Sequence, residues 1–240
     1  MRRDLRPYWV KRIYLVFRAW YAEHFLRPCF DHLGAHGTFM KPWYIQVAGP
    51  NIRLGKCATV IGDVDKRVSI AVWGRGPDLG HITIGDYALI TPGVRISASD
   101  AIEIGDNCMI ASQVYITDSD WHGVYDRIAR NAQPAPIRIG NNVWISDRAT
   151  VLKGVTIGDN SIVGALAVVT KAVPANVVVA GNPARVVKQL DSAGPFVTRA
   201  DFYSDPRALE READQLDRQF LAHNTLWNWV RALLFPTTRD

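Results

Sequence analysis

The chain has 240 residues, of which 48% are hydrophobic and 21% charged. These proportions are ordinary for a globular protein, and they argue against a disordered chain or a membrane protein with several spans. The three cysteines, Cys29, Cys57 and Cys108, lie far apart. This spacing disfavours a disulfide framework and indicates a reducing, cytoplasmic location.

The formal net charge of +5 is concentrated at the start of the chain. Residues 1–45 carry eight Lys and Arg against three Asp and Glu, which equals the whole excess. The remainder is close to neutral, and it shows no helix-turn-helix, zinc-finger or RNA-binding signature. We therefore expect no nucleic-acid partner.

The basic segment predicts an amphipathic helix over residues 7–30. Charged residues interrupt it too often for a membrane span. Two interpretations stay open. The apolar stripe packs on the protein's own body or on another subunit, which is the commoner use of such a helix, or residues 1–30 make peripheral contact with the inner face of a membrane. The stripe, spaced for one helical face, consists of Trp9, Ile13, Val16, Phe17 and Trp20.

A period of six replaces the helical pattern over residues 46–190. A chain that turns a corner every six residues forms a three-sided coil of about eighteen residues, with one aliphatic side chain per side pointing inward. The period therefore predicts a mainly β fold, a coil of stacked parallel strands. The longest run in register is Ile139, Ile145, Val151, Ile157, Val163 and Val169.

Residues 136–190 read PIRIGNNVWISDRATVLKGVTIGDNSIVGALAVVTKAVPANVVVAGNPARVVKQL. This stretch resembles the hexapeptide-repeat acyltransferases, in particular the maltose and galactoside O-acetyltransferase branch. The resemblance implies a left-handed parallel β-helix with helical flanks, acetyl-CoA as donor, and a homotrimer whose active sites are each shared between two subunits. We expect a basic helical segment over 1–45, the β-helix domain over 46–190, and a helical extension over 191–240.

One long break interrupts the repeat, from 117 to 136, and it contains His122. Acyl transfer to a hydroxyl requires a base, and a neutral imidazole can take the proton as the new bond forms. The resembling enzymes carry their catalytic histidine here, so we predict that His122 is the general base. The residue that orients it stays open between Asp118, Asp120 and Asp126.

The remaining site predictions rest on the resemblance. Residues near the break are expected to contact the acceptor, although Asp100 could equally cap a corner of the coil. The acceptor candidates are Asp100, Asp120, Trp121 and Arg127. Positions along the last coils match residues that line the donor groove in the family. These donor candidates are Trp144, Ala165, Thr170, Lys171, Arg185 and Lys188.

The repeat region has only two histidines, His81 and His122. The carbonic anhydrases built on this coil need three histidine ligands, so we expect no metal. After the coil, residues 205–222 predict a helix with Asp205 as its N-cap, and residues 226–235 form a second, apolar stretch.

The predicted function is transfer of an acetyl group from acetyl-CoA to a hydroxyl of a sugar or glycan, in polysaccharide biosynthesis. Two alternatives stay open. One is N-acetylation of an amino sugar, and the other is a non-catalytic binding or assembly module that keeps the coil without the chemistry. The sequence does not identify the acceptor.

Overall fold

The computed structural model describes residues 3–73, 79–128 and 133–238. Most of the strands are short and turn round one axis. In chain order they are β1 (His32–Leu33), β2 (Thr38–Met40), β3 (Ile45–Ala48), β4 (Ile52–Leu54), β5 (Thr59–Ile61), β6 (Val68–Val72), β7 (His81–Ile84), β8 (Leu89–Ile90), β9 (Arg95–Ala98), β10 (Ala101–Ile104), β11 (Met109–Ile110), β12 (Tyr115–Thr117), β13 (Ile137–Ile139), β14 (Trp144–Ile145), β15 (Thr150–Val151), β16 (Thr156–Ile157), β17 (Ile162–Val163), β18 (Val168–Val169), β19 (Val177–Ala180) and β20 (Arg185–Gln189).

Three sheets form the sides of the coil. Sheet A has the order β1-β4-β7-β10-β13-β16, sheet B β2-β5-β8-β11-β14-β17-β19-β20, and sheet C β18-β15-β12-β9-β6-β3. Because the chain visits A, B and C in turn, each coil has corners A/B, B/C and C/A. Among the described strands all pairings are parallel except β19 with β20. The predicted parallel β-helix is confirmed.

The six-residue period produces the core. Residues at the repeated positions point inward and stack on their equivalents in the next coil, as Ile102 does between Ile82 and Ile137. Their side chains are fully buried, with no exposed surface at Ile96, Ile110 or Ile116. One aliphatic residue on each side of each coil is therefore enough to fill the interior.

A ladder of side chains closes the A/B corner. The carboxylate Oδ1 of Asp106 accepts a hydrogen bond from the backbone N–H of Asp86 (2.7 Å), and Asn141 and Asp159 repeat this contact one and two coils further on. The preceding glycines allow the close approach, because a Cβ on Gly85 would lie 2.3 Å from Oδ1 of Asp106. The Gly-Asp and Gly-Asn pairs thus join successive coils.

The coil starts before residue 46, where the sequence analysis set its beginning. Strands β1 and β2 already pair with β4 and β5. Leu26 and Phe30 are buried in the coil's apolar core. The sixfold register is hard to see here because the first coil contains a short 3₁₀ turn over Pro42–Tyr44.

The helices are α1 (Tyr8–Tyr21), α2 (Arg199–Phe202), α3 (Pro206–Phe220) and α4 (Leu226–Leu234). A π-helical turn (Ala22–Leu26) and a 3₁₀ turn (Arg27–Cys29) follow α1. The predicted N-cap is present, since Oδ1 of Asp205 accepts from the N–H of Ala208 at 2.9 Å. The chain divides into a coil unit, residues 21–202, and a helical unit, residues 1–20 with 203–240.

Candidate active site

The break in the repeat leaves the coil at the C/A corner, directly after β12. The carboxylate of the fully buried Asp118 accepts hydrogen bonds from the backbone N–H groups of Ser99 and Asp100, both at 2.8 Å. The backbone carbonyl oxygen of Asp118 accepts a hydrogen bond from the N–H of Ala135 at 2.9 Å. Asp118 therefore fixes the start of the loop to the preceding coil and to the loop's own end.

The environment of Asp118 has two opposing effects on its ionisation. Burial away from water raises the pKa of its carboxyl, and the backbone N–H donors of Asp100 and Ser99 oppose that shift. Since both carboxylate oxygens are engaged in these bonds, Asp118 holds backbone and is not the residue that orients His122.

A second tie at the base of the loop comes from Lys153, which the sequence analysis did not identify. Lys153 follows β15 in the next coil. Its Nζ lies 2.5 Å from a carboxylate oxygen of Asp120 and 2.9 Å from the carbonyl oxygen of Gln133, to which it donates. One side chain thus joins the two ends of the loop, and Asp120 serves as its partner.

His122 is exposed in this loop, and one of its ring nitrogens is engaged. Nδ1 lies 2.9 Å from the backbone carbonyl oxygen of Arg127. A carbonyl only accepts, so Nδ1 carries the proton, and the lone pair is on Nε2. The orienting group is a backbone carbonyl rather than one of the three predicted aspartates. The Asp126 carboxylate instead accepts from the N–H of Ile128 at 3.1 Å.

The other predicted acceptor residues lie on this loop or at its base. Asp100 is held through its backbone N–H by Asp118. Trp121 has a positive φ of 65°, and its N–H donates to Oγ of Ser119 at 3.1 Å. The Arg127 side chain is exposed. Three of the four candidates, Asp120, Trp121 and Arg127, therefore lie on the same loop as His122.

The predicted donor residues fall into two groups. Trp144 and Lys188 share one row of sheet B, because Trp144 pairs with Ile162, Ile162 with Val178, and Val178 with Lys188. Three strand spacings separate them, or about 14 Å. Both side chains are exposed. Arg185 begins the same edge strand, β20.

The other donor candidates lie at corners. Ala165 follows β17 at the B/C corner, and Thr170 and Lys171 follow β18 at the C/A corner. Thr170 and Lys171 are thus two coils from the base of the His122 loop, about 10 Å along the axis. In a three-sided coil the C/A corner lies opposite sheet B. One copy of the chain therefore places the Trp144 row and the base of the His122 loop on opposite sides.

Among the described residues, no group of three or more His, Cys, Asp and Glu side chains is arranged to hold a metal ion. His81, the other histidine of the repeat region, lies on β7 with Nε2 at 3.5 Å from a carboxylate oxygen of Glu103. No helix in the described part of the chain has the length and apolarity to cross a membrane.

Comparison with known families identifies the repeat. Residues 136–171 match the family described as bacterial transferase hexapeptide (six repeats), and residues 82–118 match the hexapeptide repeat of succinyl-transferase.

Two curated relatives match just under half of this chain. Galactoside O-acetyltransferase of Escherichia coli K12 is 45% identical over 113 residues, covering 46% of this chain and 55% of that protein. The putative colanic acid biosynthesis acetyltransferase of the same organism is 37% identical over 108 residues, covering 45% and 58%. The chain thus spans little more than half the length of these relatives.

Solved structures of the same kind are similar to this chain. A maltose O-acetyltransferase from Clostridium difficile 630 is 30% identical, covering 71% of this chain and 75% of that one, with a TM-score of 0.48. A galactoside acetyltransferase in complex with coenzyme A is 30% identical, covering 68% and 66%, with a TM-score of 0.45. Two stretches of the coil, residues 82–118 and 136–171, therefore carry hexapeptide repeats of the kind found in bacterial transferases.

Proposed function

We propose that the protein transfers the acetyl group of acetyl-CoA to a hydroxyl of a sugar or glycan, with His122 as the general base. The observation that carries the proposal is the hydrogen bond from Nδ1 of His122 to the Arg127 carbonyl. It sets the tautomer in which Nε2 is free to accept a proton. The names of the galactoside and colanic acid relatives support a sugar hydroxyl as acceptor.

In the proposed reaction, Nε2 of His122 takes the proton of the acceptor hydroxyl while the hydroxyl oxygen bonds to the thioester carbonyl carbon. The carbon–sulfur bond then breaks, and the imidazolium returns the proton to the departing CoA thiolate. The products are an acetyl ester and free CoA. A base placed in this way contributes about 10²- to 10⁴-fold to the rate.

The donor is proposed to lie along the row of sheet B that contains Trp144 and Lys188, where aromatic and cationic groups suit the adenine and phosphates of CoA. Arg185 on the same edge strand adds a second cation. Ala165 is proposed to complete the donor site from the B/C corner of the same subunit. Thr170 and Lys171, at the corner opposite sheet B, are proposed to reach the donor from the neighbouring subunit.

We further propose a homotrimer with shared sites. In one subunit the Trp144 row and the His122 loop base are on opposite sides of the coil, so neighbouring subunits must supply the two halves. Co-expression of His122→Ala and Lys188→Ala subunits tests this. Each variant alone has low activity, and mixed trimers of a shared-site enzyme regain part of it. A mixture no more active than its two parents would contradict the shared site.

The activity itself is tested by incubating the purified protein with acetyl-CoA and a panel of acceptors, and following thiol release. We expect turnover with a galactoside, maltose or a related glycan, and an acetyl ester in the product by mass spectrometry. Turnover only with an amino sugar would indicate N-acetylation instead. Failure to bind acetyl-CoA by calorimetry would remove the enzymatic proposal and favour a non-catalytic module.

A further inference from the structure

The helical unit exposes a large apolar surface. On α1 the stripe predicted from the sequence is present, but its side chains are between 48% and 62% exposed. The stripe is therefore not buried within the helical unit, and the favoured expectation, that it packs on the protein's own body or on another subunit, stays a prediction. The exposed stripe residues are Trp9, Ile13, Val16, Phe17 and Trp20.

The orientation of α1 explains this exposure. Its polar residues face α3, where Tyr8 donates to Asp214 at 2.7 Å, and Lys11 lies 2.5 Å from Asp217. Arg12 also pairs with Asp214, at 3.2 Å. A surface helix ordinarily turns its apolar stripe to the core. Here the ion pairs dock the polar residues inward, and the stripe is turned outward.

The same unit exposes a second apolar set on α4 and the residue after it. Trp227 is 75% exposed, Leu234 67% and Phe235 72%. We use the term aromatic surface for these residues together with the stripe of α1. It contains three tryptophans and two phenylalanines, the composition of segments that lie at the boundary between lipid headgroups and acyl chains.

The charges of the unit indicate what covers this surface. Helix α1 carries Lys11, Arg12 and Arg18 and no acidic residue. Lys11 and Arg12 are paired with α3, whereas Arg3 and Arg18 form no ion pair with any residue that the structure describes. The core of an interface between protein chains is depleted of charge. Cations without an ion-pair partner, in the same unit as exposed aromatic rings, match an anionic lipid surface instead.

We infer that the helical unit docks on the surface of an anionic membrane through the aromatic surface. Helix α1 has 14 residues, or about 21 Å, and is too short to span a bilayer. It lies in the plane of the interface, with its apolar stripe among the acyl chains and Arg18 near the phosphates. This contact is independent of acetyl transfer.

Vesicle co-sedimentation of the full chain, without acetyl-CoA, tests the inference. Wild type should bind vesicles of phosphatidylglycerol and phosphatidylethanolamine, and bind phosphatidylcholine vesicles more weakly. The affinity of the variant Val16→Asp for vesicles should fall at least about tenfold, because the substitution puts a charge in the apolar stripe. The matched control is Val64→Asp, which alters a similarly exposed valine in a turn of the coil and should bind as wild type does.

Three results would overturn the inference. The first is a wild type that binds neither kind of vesicle. The second is a Val16→Asp variant that binds vesicles normally but elutes as a smaller oligomer in gel filtration, which would show that a second copy of the chain covers the stripe. The third is loss of binding in both variants, with equal far-ultraviolet circular dichroism as the control for folding.

Discussion

The ring nitrogen Nδ1 of His122 lies 2.9 Å from the carbonyl oxygen of Arg127, five residues further along the same loop. The contact uses only the backbone of Arg127. Replacing the side chain therefore separates two roles of this residue. We expect Arg127→Ala to leave kcat within about twofold, since the carbonyl that orients the base is retained, and to raise KM for the acceptor by about tenfold. A large fall in kcat at unchanged KM would instead assign the side chain to the orientation of His122.

The ion pair between Lys153 and Asp120 positions the loop. Lys153→Met removes the tie to both Asp120 and Gln133, and we expect kcat to fall about fivefold while acetyl-CoA affinity is retained. A double-mutant cycle with Asp120→Asn should show that the two effects overlap. Arg148→Met is the control, because Arg148 lies 3.6 Å from Asp147 in an exposed ion pair away from the loop. Strict additivity of Lys153→Met and Asp120→Asn would contradict the tie.

The sheet B row provides a test of donor binding. Trp144→Ala should weaken acetyl-CoA binding by about tenfold in calorimetry, because it removes an exposed aromatic face from the proposed groove. Trp73→Ala removes a tryptophan of similar exposure from outside this row, and we expect no change in affinity. Equal effects of the two substitutions would remove the row from the donor site.

The attachment of α1 to α3 should depend on pH. The hydrogen bond from Tyr8, followed by that from Arg218, lowers the pKa of the Asp214 carboxyl. Because the pKa is lowered in the folded state, this contact stabilises the fold at any pH above the pKa of an Asp in the unfolded chain, about 3.9. The stabilisation is lost as the pH falls below that value and through the lowered pKa of the folded state. We expect α1 to separate from α3 only below about pH 4.

Removing the Asp214 carboxylate by substitution should detach α1 from α3 at neutral pH as well. Asp214→Ala should increase amide hydrogen exchange in residues 8–21 at pH 7. Glu212→Gln, at an exposed position of the same helix, should leave exchange in this segment as it is in wild type. Unchanged exchange in the Asp214 variant would show that the ion pairs do not hold α1.

The coil could be predicted from the sequence because its physical cause is local. One inward aliphatic residue every sixth position, such as Ile139 or Ile145, is both the visible pattern and the packing unit. The contact of Asp118 with Ser99 and Asp100 spans 19 and 18 residues, which is one coil. The repeat therefore predicts that Asp118 lies beside Ser99 and Asp100, an inference that the sequence analysis did not make.

Other features of the loop and of α1 are set by contacts between segments far apart in the sequence. The partner of Lys153 is set by how the loop folds back on the coil, and nothing in its neighbouring sequence marks it. Nδ1 of His122 contacts a backbone carbonyl. Every residue has such a group, so no residue type in the sequence indicates which one is the partner. The stripe of α1 was visible, but an amphipathic pattern does not state which side docks. That depends on Asp214 and Asp217, about two hundred residues away.

The central claim is that Nε2 of His122 accepts the proton of the acceptor hydroxyl. It is tested most directly by the steady-state rate of thiol release from acetyl-CoA, with an accepted sugar, for wild type, His122→Ala and His81→Ala. We expect a loss of about 10²- to 10⁴-fold in kcat for His122→Ala with unchanged acetyl-CoA affinity, and wild-type turnover for His81→Ala. A His122→Ala enzyme that retains wild-type kcat would contradict it.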